Sequence, residues 1–302
     1  MSPPPAIEVT ALHKAYGTTP VLDGISLTVP RGTVFALLGP NGAGKTTTVN
    51  ILSTLVAPDA GRVLVGGHDV VREAPAVHRL ISLTGQFAAV DDLLTGRENL
   101  RMMARLTHLP RPAIGHRVAE LLDQFDLTRA ADRLVRTYSG GMRRRLDIAV
   151  SLLAQPQVLF LDEPTTGLDP RSRQGVWDLV RALTDEGVTV VLTTQYLEEA
   201  DALADHIAVL HGGHIVAEGT AASLKRLVGT DVVEVSYADG RRDAIPTDGS
   251  IHDLRRILAE VDDTGPVKHL ALRERSLDDV FLQLTGSPID EPADPTARKV
   301  HS

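Results

Sequence analysis

A glycine-rich loop limits this sequence to a narrow set of folds. Residues 34–38 are an unbroken apolar run, which predicts a buried parallel strand, and residues 46–55 are predicted to form a helix. The glycines between them let consecutive backbone N–H groups converge on an anion at the start of that helix. We therefore expect a strand, a phosphate-binding loop and a helix in succession. The loop consists of Gly39, Pro40, Asn41, Gly42, Ala43, Gly44, Lys45 and Thr46, and Thr47 follows it.

Two side chains at the end of this loop have the chemistry that a nucleotide requires. In such a loop the ammonium of Lys45 reaches the β- and γ-phosphates, and the hydroxyl of Thr46 is a ligand for Mg²⁺. A chance glycine turn is the alternative interpretation. The strand before the loop and the helix after it favour the functional interpretation, because the motif works only in that context.

The order of the other segments predicts an α/β fold. Residues 158–161 and 188–192 are two more apolar runs and are predicted to be buried parallel strands, with helical patterns between the strands. Alternating apolar and polar residues within the first 29 positions predict an antiparallel β subdomain. The stretch from about 90 to 154 is mainly helical and predicts a helical insert. Together these features predict a P-loop NTPase domain with a mixed-sheet core over residues 1–228.

A second, smaller domain is predicted after residue 228. It is expected to be an α/β accessory domain over residues 229–286, because short strand patterns alternate there with amphipathic helix patterns. Residues 287–302 are rich in proline and polar side chains and are predicted to be disordered. The predicted elements of the accessory domain are a strand over 232–237, a helix over 251–261, a strand over 267–272 and a helix over 276–284.

Composition excludes several classes of function. The net charge is −8 and no basic run is longer than Arg143-Arg144-Arg145, so a surface for nucleic-acid phosphates is not expected. The absence of cysteine excludes a disulfide scaffold, a thiolate metal site and a cysteine nucleophile. The sequence contains no apolar run of transmembrane length and no signal-peptide pattern at Met1–Ala6. These features predict a cytoplasmic protein, and if it works at a membrane, another protein must hold it there.

Two adjacent acidic residues end the second apolar strand. Asp162 and Glu163 follow residues 158–161, and ligands in open α/β sheets bind at the carboxyl ends of the strands. One carboxylate, Asp162, is predicted to hold Mg²⁺, and Glu163 to act as the general base on the attacking water. A solvated loop is the alternative for an isolated Asp-Glu pair. The phosphate-binding loop elsewhere in the chain favours the catalytic interpretation.

The stretch Tyr138-Ser139-Gly140-Gly141-Met142 resembles the signature motif of ATP-binding-cassette (ABC) transporter ATPases. By itself it is a helix N-terminus capped by Ser139, where free N–H groups face an anion. The resemblance implies an ABC-type nucleotide-binding domain that binds ATP. It also implies that two copies associate head to tail, so that Ser139, Gly140 and Gly141 of one copy contact the γ-phosphate held by the other.

Further residues match the family's motifs in order over about residues 7–228. The resemblance implies that Tyr16 stacks on adenine, and that Gln86 contacts both Mg²⁺ and the attacking water and begins the segment that meets a membrane subunit. Gly167-Leu168-Asp169 matches the loop that crosses the dimer interface. The family has a histidine that holds the γ-phosphate where this sequence has Gln195. Glutamine donates a hydrogen bond but carries no proton or charge, so this departure puts the turnover rate in question.

Two stretches narrow the resemblance to one branch. Residues 194–201 and 276–286 resemble the ATPases of the daunorubicin-resistance type of bacterial drug and antibiotic exporter. That resemblance implies a separate membrane-spanning permease of the ABC-2 class. It also implies that the chain binds this permease at the inner face of the cell membrane. Exporters of lipids and polysaccharides share much of the pattern. Two alternatives are a soluble ABC ATPase that acts on ribosomes or DNA and a regulatory module that only dimerises on ATP.

Overall fold

The computed structural model describes residues 4–85, 90–262, 265–273 and 275–286. Gln86 and the predicted disordered stretch 287–302 lie outside the described residues. The chain divides into two compact units at Gly219. This division precedes the predicted boundary at residue 228, because the helix over Ala221–Leu227 packs with the helix over Leu277–Thr285 of the second unit.

The described residues contain thirteen strands and ten α-helices. The strands are β1 Ile7–Tyr16, β2 Thr19–Val29, β3 Val34–Leu38, β4 Ala60–Val65, β5 His68–Asp69, β6 Ile81–Thr84, β7 Val158–Asp162, β8 Thr189–Thr194, β9 His206–His211, β10 His214–Gly219, β11 Asp231–Tyr237, β12 Arg242–Thr247 and β13 Val267–Arg273. The helices are α1 Lys45–Leu52, α2 Ala74–His78, α3 Gly96–Leu106, α4 Arg111–Gln124, α5 Gly140–Ser151, α6 Pro170–Asp185, α7 Leu197–Leu203, α8 Ala221–Leu227, α9 Ile251–Asp262 and α10 Leu277–Thr285.

The core of the first unit is a six-stranded sheet in the order β10-β9-β3-β8-β7-β6. The five strands from β9 to β6 are parallel to their neighbours, and every residue of β3, β7 and β8 is buried. Phe35 and Leu37 of β3 join a core cluster with α1, whereas the alternate β3 residues face the side on which α6 and α7 pack. This arrangement brings the carboxyl ends of β3, β6, β7 and β8 to one edge.

A second, antiparallel sheet has the order β2-β1-β4-β5. Its buried side chains, among them Ile7, Leu12 and Ile25, belong to the same core cluster as α1 and the large sheet. The strands β1 and β2 are longer than the sequence pattern indicates and pair up to Tyr16 and Thr19, with irregular register between Val9 and Ala15. These irregularities break the period-2 pattern, which explains why the sequence shows only the ends of the hairpin.

The predicted helical insert consists of α3, α4 and α5 between β6 and β7. Thr95 begins α3 with a capping box, in which its hydroxyl accepts from the N–H of Glu98 and its own N–H donates to the Glu98 carboxylate. Buried Leu100, Val118 and Leu146 occupy the three helices, one in each, and provide the insert with apolar packing.

The second unit has a three-stranded antiparallel sheet in the order β12-β11-β13. Ile257 and Val261 of α9 are buried against the β11 side chains Val233, Val235 and Tyr237. The four elements predicted there correspond to β11, α9, β13 and α10, and the unit also contains α8 and β12. No helix within the described ranges combines the length and the apolar character needed to cross a membrane.

Candidate nucleotide site

The glycine-rich loop leaves the end of β3 and turns directly into α1. Gly39 is packed so closely that an added Cβ would collide with the carbonyl oxygen of Leu210 in β9, and its N–H donates to the Thr194 carbonyl at 3.2 Å. Gly44 immediately precedes α1 with a φ of +108°, a left-handed conformation that favours glycine. The loop is therefore fixed by its neighbours, and it delivers the N-terminus of α1 to the sheet edge.

Lys45, the first residue of α1, lies in the centre of the site. Its side chain is 5% exposed, and its ammonium donates to the carbonyls of Gly39 at 2.8 Å and Pro40 at 3.1 Å. Glu163 Oε1 lies 3.7 Å from Nζ. Burial lowers the pKa of Lys45, and the charges of Glu163 and Asp162 oppose that shift. A buried ammonium beside a helix N-terminus attracts a highly charged anion such as a polyphosphate.

Thr46 and Asp162 meet across the site from α1 and β7. The Thr46 hydroxyl lies 3.3 and 3.4 Å from the two carboxylate oxygens of Asp162, and the Thr193 hydroxyl of β8 donates to the same carboxylate. The described residues contain no group of three or more acidic or histidine side chains that could hold a metal by themselves. One hydroxyl and one carboxylate suit Mg²⁺, which binds few protein oxygens and completes its shell with water and phosphate.

Glu163 follows Asp162 in an uncommon backbone conformation. Its φ is +47°, and its N–H donates to the Thr193 carbonyl and hydroxyl, each at 3.1 Å. Glu163 Oε2 accepts from the Thr166 hydroxyl at 3.4 Å, and the side chain is mostly buried. A left-handed conformation costs a non-glycine residue about 1–2 kcal/mol. Such strain is typical of functional positions, and here it turns the carboxylate toward Lys45.

One cavity of about 430 Å³ is lined by part of the set of predicted ATP-binding residues, whereas Gly39, Pro40 and Ala43 of the loop do not line it. Tyr16, from the end of β1, is 51% exposed at its rim, and the Lys14 ammonium lies 5.5 Å from the centre of its ring. An exposed aromatic ring beside a phosphate-binding loop suits stacking on a base. The cavity is lined by Tyr16, Val21, Asn41, Gly42, Gly44, Lys45, Thr46, Thr47 and Glu163.

The signature residues lie at the start of α5 and do not line this cavity. Ser139 caps the helix, and its Oγ accepts from the N–H of Met142 at 3.3 Å. Ser139 and Gly140 are exposed, while Gly141 is buried against Ser172 of α6. The predicted signature residues therefore do not share this cavity with the phosphate-binding loop of the same chain.

Gln195 lies directly after β8 at the same sheet edge. Its side chain is buried, and its Oε1 has no hydrogen-bond partner among the described residues. The adjacent Thr194 carbonyl accepts from Gly39, which ties the β8 end to the glycine-rich loop. Gln86, to which the resemblance gives contacts with Mg²⁺ and the attacking water, lies outside the described residues.

Two polar residues of the site have no motif of their own. Thr193 binds both the Asp162 carboxylate and the Glu163 N–H, and Arg144 donates to the Asp162 and Pro164 carbonyls. Thr193 is identifiable in principle, because it lies near the carboxyl end of β8, the strand next to β7, opposite Asp162. Arg144 has only the signal of a basic run, which ordinarily indicates a solvated face.

Comparisons with known proteins show the family to which the chain belongs. The profile of the family described as "ABC transporter" matches residues 22–166. A dimeric ATP-binding cassette, solved in a post-hydrolysis state with ADP and Pi, matches with a TM-score of 0.64 and 25% identity, covering 71% of this chain and 98% of that one. The Nod factor export ATP-binding protein I of Cupriavidus metallidurans is 38% identical over 93% of this chain and 97% of its own length.

The chain therefore belongs to the ATP-binding proteins of ABC transporters and is an ATPase that binds ATP. Within that class it is similar to a drug-resistance protein. Daunorubicin/doxorubicin resistance ATP-binding protein DrrA of Streptomyces peucetius is 51% identical to it, over 96% of this chain and 95% of that protein. The similarity extends through both units of the fold, since it covers nearly the whole chain.

Proposed function

We propose that this chain is the ATP-hydrolysing subunit of an ABC-2 type exporter, powering efflux of a drug, antibiotic or other hydrophobic compound through a separate permease. The observation that carries the proposal is the convergence of Lys45, Thr46, Asp162 and Glu163 on one edge of the sheet. The similarity to DrrA over nearly the full length supports the drug-export part. The chain is held at the inner face of the membrane by the permease.

The geometry supports a specific role for each residue of the site in ATP binding and hydrolysis. Lys45 and the loop N–H groups bind the β- and γ-phosphates, and Tyr16 stacks on the adenine. Thr46, Asp162 and Gln86 would hold Mg²⁺, which neutralises charge on the phosphates when bound. Glu163 accepts the proton of the attacking water. Gln195 donates a hydrogen bond to the γ-phosphate in place of the family's histidine.

Association of two copies completes the site. Ser139 and Gly141 at the α5 N-terminus of one copy face the γ-phosphate that the other copy binds through its glycine-rich loop. The dimeric post-hydrolysis cassette supports such an arrangement for a protein of this fold. Hydrolysis removes the γ-phosphate that both copies bind, so the dimer reopens. The cycle of closing and opening moves the helices of the permease.

Two other functions have less support. An enzyme that acts on nucleic acid needs a basic surface, and the net charge here is −8. A regulatory module that only dimerises would not need a carboxylate beside Lys45, yet Glu163 Oε1 lies 3.7 Å from the ammonium. Steady-state hydrolysis of ATP separates the motor from the regulatory module.

Drug export can be tested by co-expression with an ABC-2 permease in a drug-sensitive bacterial host. We expect less cellular doxorubicin with the wild-type chain and permease than with Glu163→Gln and permease, or with either subunit alone. The wild-type chain should also move to the membrane fraction only when the permease is present. Equal doxorubicin accumulation in all strains, although the chain reaches the membrane fraction and hydrolyses ATP, would overturn the drug assignment.

A further inference from the structure

Arg144, in the second turn of α5, is surrounded by backbone carbonyls that belong to the nucleotide site. Its side chain is only 12% exposed, although α5 begins with the exposed Ser139 cap. Three carbonyls and one carboxylate accept hydrogen bonds from it. The guanidinium donates from Nε to Pro164 O at 2.9 Å, from Nη1 to Gly85 O at 3.1 Å and Asp147 Oδ2 at 3.3 Å, and from Nη2 to Asp162 O at 3.2 Å.

Two of these carbonyls belong to the residues next to Glu163. Asp162 and Pro164 are the residues on either side of Glu163, so one rigid guanidinium binds the backbone both before and after the proposed general base. Glu163 itself has a φ of +47°, a conformation that its surroundings must impose. The opposite side of the turn is bound by Thr193, which accepts from the Glu163 N–H. Arg144 and Thr193 together hold the turn from two sides.

The third carbonyl extends the contact to a neighbouring strand. Gly85 follows β6, which pairs with β7 in parallel, and Arg144 bridges the ends of both strands. Asp147, one turn along α5, supplies a buried countercharge. Burial lowers the pKa of Arg144, and the charges of Asp147, Glu199 and Asp162 oppose that shift. The guanidinium remains charged, and its planar set of donors fixes α5 against both strand ends.

We propose that Arg144 is a positioning residue for hydrolysis, which holds the turn around Glu163 and couples its geometry to helix α5. This inference rests on the proposed role of Glu163. The same helix presents Ser139 and Gly141 at its N-terminus, so a movement of α5 is transmitted to the turn of the general base through the Arg144 side chain. Lysine keeps the charge but has no planar fork, so it cannot bind the Asp162 and Pro164 carbonyls in the same geometry.

The chain provides a matched control for this arginine. Arg117 of α4 is 16% exposed, donates to the Leu152 carbonyl at 2.8 Å and pairs with Glu120 three residues on. It resembles Arg144 in burial, in binding a backbone carbonyl and in having an i+3 carboxylate. Neither of these two partners is a residue assigned to ATP, so Arg117→Met reports the structural cost of losing such a side chain.

The test measures kcat and KM for MgATP, together with melting temperature, for Arg144→Met, Arg144→Lys and Arg117→Met. We expect Arg144→Met to lower kcat about 100-fold while KM changes less than about threefold, because the general base is misplaced and the phosphate-binding loop is intact. Arg144→Lys should melt near the wild type and still lose about tenfold in kcat. Arg117→Met should lower the melting temperature and leave kcat unchanged.

A double variant shows whether Arg144 acts through Glu163. In the Glu163→Gln background, Arg144→Lys should cause no further loss of turnover, since residues that act as one unit are not additive. A further tenfold loss there, or wild-type turnover of Arg144→Lys alone, would overturn the inference. If Glu163→Gln itself turned over normally, the proposed general base would be wrong, and that result is read independently of Arg144.

Discussion

Glu199 is a fully buried carboxyl group at the edge of the nucleotide site. Its Oε1 accepts from the Thr165 hydroxyl at 2.8 Å and from the Trp177 indole at 3.2 Å, which links α7 to the turn after β7 and to α6. Burial raises the pKa of Glu199, and hydrogen bonds from Thr194, Thr165 and Trp177 oppose the shift. The group therefore binds its proton more tightly in the folded state than in the unfolded state.

This shift makes stability depend on pH in a predictable direction. Because the folded state holds the proton above the ordinary pKa of 4.5, the free energy of unfolding falls as pH rises from 4.5 through the folded pKa. Glu199→Gln cannot titrate, so its stability relative to the wild type should increase with pH over that window. Urea unfolding from pH 4.5 to 8 measures this difference. Glu198→Gln, at the exposed neighbour, controls for the lost charge, and a Glu199→Gln difference that is flat with pH would contradict the account.

Lys45 supports a prediction about ATP-dependent stability. A ligand present at 100 times its Kd stabilises the folded state by about 2.7 kcal/mol. We expect MgATP to raise the melting temperature of the wild type and to have no such effect on Lys45→Met, because that variant lacks the ammonium that binds the phosphates. Lys268→Met removes an exposed lysine in the second unit and should keep the full shift. An unchanged shift in Lys45→Met would place ATP elsewhere.

At the scale of elements, the contact between α5 and α6 leaves no room at Gly141. An added Cβ would lie 2.5 Å from Ser172 Oγ and 2.7 Å from Ser172 Cβ. Asp169 caps α6 and binds both the N–H and the hydroxyl of Ser172, so turning the Ser172 side chain away would break its hydroxyl bond to Asp169. The signature helix and the helix after the Gly167–Asp169 loop are therefore packed as a pair.

Alanine at two glycines should have opposite effects on stability. Gly141→Ala forces the α5 and α6 backbones apart, and overpacking of this kind costs about 1–3 kcal/mol. Gly115 lies in α4 with open space around its Cα, so Gly115→Ala should stabilise by up to about 1 kcal/mol through helix propensity. The free energies of unfolding in urea test both values. Equal effects of the two changes would contradict the close packing of α5 on α6.

The part of the site that can be predicted from the sequence is the part fixed by the order of the strands and helices. The proximity of Asp162, Thr46 and Lys45 could be predicted from the sequence, because parallel strands present their carboxyl ends at one edge of a sheet. That prediction does not depend on which side chains pack beneath the strands. The contacts of Arg144 could not be predicted, since they depend on the distance between α5 and the ends of β6 and β7. The full length of β1 could not be predicted either, because its irregular register with β2 breaks the alternation of apolar and polar residues. The packing of α8 with α10, which places α8 in the second unit, likewise has no local signal in the sequence.

At the scale of the whole molecule, we expect two chains in one active assembly, because the signature of one copy faces the γ-phosphate that the other copy binds. Glu163→Gln should bind MgATP without hydrolysing it, so light scattering should find about twice the monomer mass of 32.4 kDa. Adding Ser139→Ala should weaken this dimer, because Ser139 caps the helix that faces the second ATP. Glu163→Gln that stays monomeric with saturating MgATP would contradict the head-to-tail arrangement.

The first measurement is Mg²⁺-dependent hydrolysis of ATP by the wild type beside Glu163→Gln. It tests whether this chain is an ATP-hydrolysing motor with Glu163 as its general base. The account predicts turnover by the wild type that requires Mg²⁺, and a loss of about 100-fold or more in kcat for Glu163→Gln with ATP still bound. Full-rate hydrolysis by Glu163→Gln would contradict the assignment of the general base. ATP binding without any turnover by the wild type, even with its permease present, would contradict the role of this chain as a motor.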